Sequence, residues 1–287
     1  MQGNGYEDKE VIMKKLWFCS LLIIIFFSNC SFSQTAGLKE RTIRFCAGIH
    51  EWPPYYYFKR VKGKKTKEVG GLDLDLFEEI FTKNGISYSV ELLPWKRCLK
   101  EVMKGENYDI VFGGGLNEYR RANYITTEEY YTVMPSYLYS KNKFPAGIKA
   151  KTPSDLSKYG QRCGVAGFNY VNFGQRNEDI EMGAKNYEAL VTKTLAHRCD
   201  ISFVRYEILI GWEKLLNLDL IGNKNLVLAD VPGIPPESFH LMISKNYQYA
   251  PELKQFFDLE VKKLQDSGKI RSLFAKDKNE TSNLRRH

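Results

Sequence analysis

Apolar positions along this chain switch between two periods. Thr42-Ile-Arg-Phe-Cys46 reads as a strand, while Leu72 to Phe81 puts apolar residues at 72, 76, 77, 80 and 81, one face of an amphipathic helix. Tyr88 to Leu92 alternates apolar and polar, which predicts a strand. Trp95 to Lys104 returns to helical spacing, with Leu99, Val102 and Met103 on one side. Asp109 to Phe112 is a short buried strand ending in Gly113, Gly114 and Gly115. From about Tyr137 the alternation begins again, with a strand at Arg162 to Ala166, a helix at Tyr187 to His197 and a strand at Asp200 to Val204. A late strand, Phe239 to Ile243, and a helix from Pro251 to about Ser267 follow, and the polar residues 277–287 read as a frayed tail. Both halves carry one loose unit of helix, tight turn, Asp and apolar strand, around Asp109 and around Asp200. Strands alternating with helices predict sheets covered by helices, and the repeated unit predicts two α/β lobes rather than one sheet.

Length and composition agree with that reading. With 287 residues, 43% of them hydrophobic, the chain has room for one large domain or two of ordinary size. No strict repeat or low-complexity tract marks it as fibrous or disordered.

The amino terminus carries a different signal. Lys14 and Lys15 precede a largely apolar run of twelve residues, Leu16 to Phe27, whereas a membrane span needs roughly 20. The run therefore reads as the core of a secretory signal covering residues 1–33, cleaved after Ser33, with Met13 as a better start than Met1. A lipid anchor at Cys30 is the weaker alternative, because Phe27-Ser28-Asn29 is a poor lipobox. Export leaves Cys46, Cys98, Cys163 and Cys199 in an oxidising compartment, where four cysteines read as two disulfides with three possible connectivities. No two of these cysteines are close in sequence, and His50, His197 and His240 are scattered, so no metal or cofactor is expected.

Charge changes the picture less than it first suggests. The net charge of +8 survives removal of residues 1–33, since three basic and three acidic residues leave together. Export separates the chain from nucleic acid, and the run Lys62-Gly-Lys-Lys-Thr-Lys67 reads as a solvated loop in a hairpin.

The order of several segments resembles a known family. Glu51-Trp-Pro-Pro-Tyr55 follows a strand; then come Gly71-Leu-Asp-Leu-Asp-Leu76, Leu93-Pro-Trp95, Tyr108-Asp-Ile-Val111 and Arg120. Asp200 opens a second-lobe strand, and Leu264-Gln-Asp-Ser-Gly-Lys-Ile270 closes the match. From about residue 42 to 276 the chain is similar to the extracellular solute-binding proteins of ABC importers, of the polar amino-acid type. The resemblance implies a two-lobe periplasmic-binding-protein fold, each lobe a mixed, mostly parallel sheet flanked by helices, joined by two hinge crossings near Thr132–Ser136 and Ser238–Leu241. Residues 34–133 and 239–276 would form the first lobe and 134–238 the second. It implies an exported monomer that takes a small polar or anionic ligand in the cleft and partners a membrane permease. Because hinge closure disfavours a bridge between lobes, it also implies pairing Cys46 with Cys98 and Cys163 with Cys199.

The same resemblance assigns the ligand site residue by residue. Trp52 and Trp95 stand at strand-to-helix junctions where the family carries aromatics that sandwich the ligand. Arg120 matches the arginine that clamps a carboxylate, which suits a guanidinium fork. Gly113 and Gly115 let a ligand approach backbone, and Asn169 lies in a loop, Gly167 to Tyr170, expected to open a helix with free N–H groups. The departure is Arg205, five residues after Asp200, where the family keeps an acid for the ligand's ammonium. Two arginines in one cleft favour an anionic ligand, including one with two acidic groups; the opposing reading has Arg205 turned outward or paired with Glu207 on the same strand face. Two other functions stay open. One is a dehydratase-like enzyme on the same scaffold using Glu51, His50 or Glu207, and the other is a ligand-sensing module.

Overall fold

The computed structural model describes residues 35–220, 222–270 and 272–273. The signal segment, Cys30 and the residues 277–287 lie outside the described residues.

Two mixed sheets organise the chain. The first is built on β1 (Ile43–Gly48), which pairs in parallel with β4 (Tyr88–Leu93) on one side and β5 (Ile110–Gly115) on the other. A hairpin of β2 (Tyr57–Val61) and β3 (Lys64–Gly70) leaves the sheet after β1. Helix α1 (Leu72–Ile80) follows that hairpin, and α2 (Trp95–Lys104) joins β4 to β5. Next come α3 (Glu118–Asn123), β6 (Tyr124–Thr126) and β7 (Tyr131–Val133). The second sheet begins at β8 (Pro135–Ser140) and adds β9 (Arg162–Val165), β10 (Glu181–Ala184), β11 (Ile201–Arg205) and β12 (Leu226–Asp230) in the order β10-β9-β11-β8-β12. Helices α4 (Tyr187–Leu195) and α5 (Tyr206–Leu216) flank it. The chain then returns to the first sheet as β13 (Glu237–Ser244), antiparallel to β5, and ends its described part with α6 (Ala250–Asp266).

Burial explains why these segments take these forms. Leu76, Phe77 and Ile80 of α1 are buried, and Phe45, Phe77, Phe81 and Phe112 form an aromatic core with ring centroids 4.8 to 6.2 Å apart. In the second lobe Tyr170, Phe173 and Phe203 play that part at 5.4 to 6.0 Å. Each lobe also carries its own bridge: Cys46–Cys98 at a Cα separation of 5.7 Å and Cys163–Cys199 at 5.8 Å, both within disulfide reach.

Three expectations need correction. The Lys62–Lys67 run lies in a hairpin as expected, but its loop is only Lys62 and Gly63, because Lys64 to Gly70 is a strand that pairs back on Tyr57 to Val61. No α-helix opens at Gly167–Tyr170; the segment turns and makes only a short 3-10 turn at Val171–Phe173, since Gly167 is left-handed and Tyr170 turns inward to the core. The last strand starts at Glu237, not Phe239, so the return crossing lies before Glu237 rather than at Ser238–Leu241.

One buried group has a consequence for stability. The Asp73 carboxyl is fully buried on α1, and neither oxygen has a hydrogen-bond partner among the described residues. Burial pushes its pKa well above the usual carboxylate range, with Tyr130 drawing weakly the other way. A raised folded-state pKa leaves stability intact below the unfolded value, near 4, and removes it as pH rises toward the folded value. Asp73→Asn is therefore expected to stabilise the protein increasingly as pH rises from 4 to 8, by roughly 1–3 kcal/mol at the upper end. A pH series of Tm values in which the two proteins run parallel would sink this account.

Candidate functional site

The carboxyl ends of the inner parallel strands face one another across a cavity of about 370 Å³, a size suited to a small ligand. Trp52 enters from the loop after β1, Trp95 opens α2 after β4, and Gly113 to Gly115 end β5. Arg120 sits in α3, whose first turn is fixed by the Asn117 side chain accepting the Arg120 N–H at 2.8 Å. From the other lobe come Phe168 and Asn169 after β9, and Arg205 at the end of β11. The structure thus brings together all seven residues expected from the sequence. Among the further residues that line it, Glu237 brings an acid that was not expected.

Arg205 points into the cleft rather than out, and only 4% of its surface is exposed. Its partner is not Glu207. Its Nε donates to Glu237 Oε2 at 2.6 Å and its Nη2 to the Asn169 carbonyl at 3.1 Å. Burial works to lower its pKa, but the facing Glu237 carboxylate outweighs this and raises it. Glu207 belongs to the first turn of α5, not to a strand face, and its carboxylate accepts the Met134 N–H at 2.7 Å. Glu237 stands at the start of β13, and no sequence signal marked it. Its residue type is ordinary, and its partner lies 32 positions away in sequence.

Arg120 is half-buried, and among the described residues no carboxylate forms an ion pair with it. One Nη donates to the Gly115 carbonyl, and the guanidinium lies 5.2 Å from the centre of the Trp95 ring. Burial lowers its pKa, Glu237 raises it and Arg205 lowers it, with burial prevailing. An arginine so placed stays protonated.

The indoles do something other than flank a ligand. Each carries one of the protein's own guanidiniums, Arg120 over Trp95 and Arg205 over Trp52 at 5.3 Å. Trp52 is further enclosed by Phe168 at 5.4 Å and Phe239 at 5.7 Å. Its Nε1–H is buried without an acceptor among the described residues.

The glycines likewise admit the protein's own side chains. A Cβ on Gly113, whose φ is +70°, would stand 2.3 Å from the Tyr56 ring, and one on Gly115 would stand 2.6 Å from Glu237 Oε1. Asn169 contributes its carbonyl rather than its amide. Its side-chain oxygen is taken by the Asn177 amide at 3.0 Å and the Val171 N–H at 3.3 Å.

The lobes meet closely beside the cavity. A Cβ on Gly211, inside α5, would stand 2.3 Å from the Pro53 carbonyl of the opposite lobe. Glycine within a helix costs about 1 kcal/mol relative to alanine, so close backbone approach is its reason here.

Glu51, one of the candidate proton-transfer groups, is committed elsewhere. It accepts from Arg60 at 3.0 and 3.2 Å, from the Phe58 N–H at 2.9 Å and from Lys65. Burial pushes its pKa up, but these bonds more than offset that and hold it below its ordinary value.

Comparisons with known proteins agree on the architecture. A structure of an amino acid ABC transporter substrate-binding protein from Streptococcus pneumoniae bound to L-arginine has a TM-score of 0.63 at 18% identity, covering 84% of this chain and 96% of that one. A second Streptococcus pneumoniae structure, an ABC uptake transporter substrate binding protein with bound histidine, has a TM-score of 0.64 at 16% identity, covering 86% and 96%. An ancestral amino-acid-binding protein described as a precursor of cyclohexadienyl dehydratase has a TM-score of 0.63 at 17% identity, covering 85% and 98%. At such identities the likeness shows the fold: two lobes, each a mixed α/β sheet flanked by helices. No curated protein is similar enough in sequence to count as a relative. The family model described as bacterial extracellular solute-binding proteins, family 3, matches residues 46–277. The match spans most of the chain, and the protein belongs to that family.

Proposed function

We propose that the cleft captures a small carboxylate-bearing solute, which the exported protein hands to the permease of an ABC importer. Arg120 carries this reading: a half-buried guanidinium that no acid of the described residues satisfies, aimed into a cavity between two lobes. A ligand carboxylate would give it two parallel charge-assisted hydrogen bonds. Two of the similar structures hold arginine and histidine. Two arginines against one engaged acid make the present cleft a poor fit for such cationic side chains.

A thermal-shift panel of amino acids, monocarboxylates and dicarboxylates tests the proposal. A carboxylate present at 100 times its dissociation constant should stabilise the protein by about 2.7 kcal/mol. If no carboxylate-bearing compound of the panel stabilises the protein, the reading fails; strong stabilisation by arginine or lysine would keep the carboxylate and overturn the poor fit for cationic side chains.

The dehydratase-like alternative draws on one similar structure being described as a precursor of cyclohexadienyl dehydratase. It needs a proton-transfer group in the cleft, and Glu51 and Glu207 are both engaged elsewhere. His50, exposed at the cavity rim, is the remaining named candidate. Turnover of a prephenate-like acid by the purified protein would favour that alternative.

A further inference from the structure

This inference rests on the carboxylate-binding reading and specifies the charge of the ligand. Glu237 enters the cleft from the first residue of β13. One of its oxygens takes Arg205 Nε at 2.6 Å and the other takes the Asn172 amide at 2.7 Å. The second oxygen stands 2.6 Å from where a Cβ on Gly115 would be, so glycine leaves it room. The carbonyl of the same Gly115 accepts from Arg120. The fixed charges therefore run Arg120, Glu237, Arg205: positive, negative, positive, with one positive charge in excess.

The other charged groups lining the cavity change this sum little. Glu51 is neutralised by Arg60 and Lys65, while Lys96 and His50 are exposed at the rim, where water and salt screen them. We propose that Glu237 determines specificity by occupying Arg205, so that the cleft takes a monoanion at Arg120 and disfavours dianions. A second ligand carboxylate directed at Arg205 would meet a like charge already hydrogen-bonded there and would have to break a buried pair. A ligand cation would find the acid held between two guanidiniums. The acid that the family resemblance places at position 205 is thus supplied from another strand, engaged before any ligand arrives.

Two pairs of probes matched in shape decide the matter: succinate against succinamate and glutarate against glutaramate, titrated calorimetrically into the full chain. The expected result is that the wild type prefers the monoanion of each pair at least tenfold. Glu237→Gln keeps an amide oxygen for Arg205 and removes the charge, and should move each ratio at least tenfold toward the dianion. Glu237→Asp should keep the wild-type preference. If the wild type prefers dianions, or if Glu237→Gln binds both members with an unchanged ratio, Glu237 is a structural clasp and the proposal falls. Should Glu237→Gln fail to fold, the wild-type ratios still decide. If no carboxylate binds the wild type at all, the carboxylate reading itself falls and takes this one with it.

Discussion

Replacing Arg120 by Met is expected to weaken carboxylate binding sharply while leaving the ligand-free protein as stable as before, or slightly more so. The two effects have one cause. The guanidinium is half-buried, holds one backbone carbonyl and lies against Trp95, with no acid paired to it among the described residues. Burying a charge without a partner is unfavourable, so an apolar side chain of similar length relieves the ligand-free state. In the bound state the same loss leaves a ligand carboxylate desolvated and unpaired, which costs about 2–5 kcal/mol, a weakening of at least about 30-fold. Arg120→Lys should fall between the two, because it keeps the charge and loses the fork. Calorimetric affinities together with Tm values of the ligand-free proteins check this. Wild-type affinity in Arg120→Met would mean that the ligand carboxylate sits elsewhere.

Arg205→Met is expected to behave in the opposite way, with its main effect on stability. Arg205 and Glu237 are both nearly buried, at 5% and 7% side-chain exposure, and are 2.6 Å apart. Removing the arginine leaves a carboxylate in a dry site with only the Asn172 amide as donor, which costs about 3–5 kcal/mol. For a chain of this size that is roughly 6–20 °C in Tm. The double replacement Arg205→Met with Glu237→Leu should recover most of the loss, since an apolar pair of similar volume carries no desolvation penalty. Thermal unfolding of the four proteins in the cycle gives the coupling directly. A single Arg205→Met with unchanged Tm would show that the pair contributes nothing to the fold.

Local pattern made much of the architecture legible. The helix at Leu72–Ile80 was readable because its buried residues, Leu76, Phe77 and Ile80, recur at helical spacing, and the strand at Ile43–Gly48 because it is apolar apart from Arg44. The two disulfides followed once two lobes were assumed, since each pair lies within one lobe. The hairpin was legible, but Lys64 to Lys67 read as its loop rather than its second strand, because a run of exposed lysines has no apolar face to announce a strand. The turn after Gly167 failed for a related reason: Tyr170 leaves the surface to fill the second core, a choice set by space in that core.

By itself, the sequence determined an alternation of strands and helices in two halves, because burial periods are local properties of the chain, and the family resemblance pointed to Trp52, Trp95, Arg120 and Arg205 as residues of the cleft. Tertiary structure alone decided what each of those residues faces. Arg205 and Glu237 are separated by 32 positions and meet only because β13 returns from the second lobe to the first. Gly115 accommodates that acid and Gly113 a tyrosine ring, and each indole carries an arginine. Charge type is written in the residue, but whether a charge is paired depends on the packing of distant strands. In this cleft the packing leaves Arg120 open and Arg205 engaged.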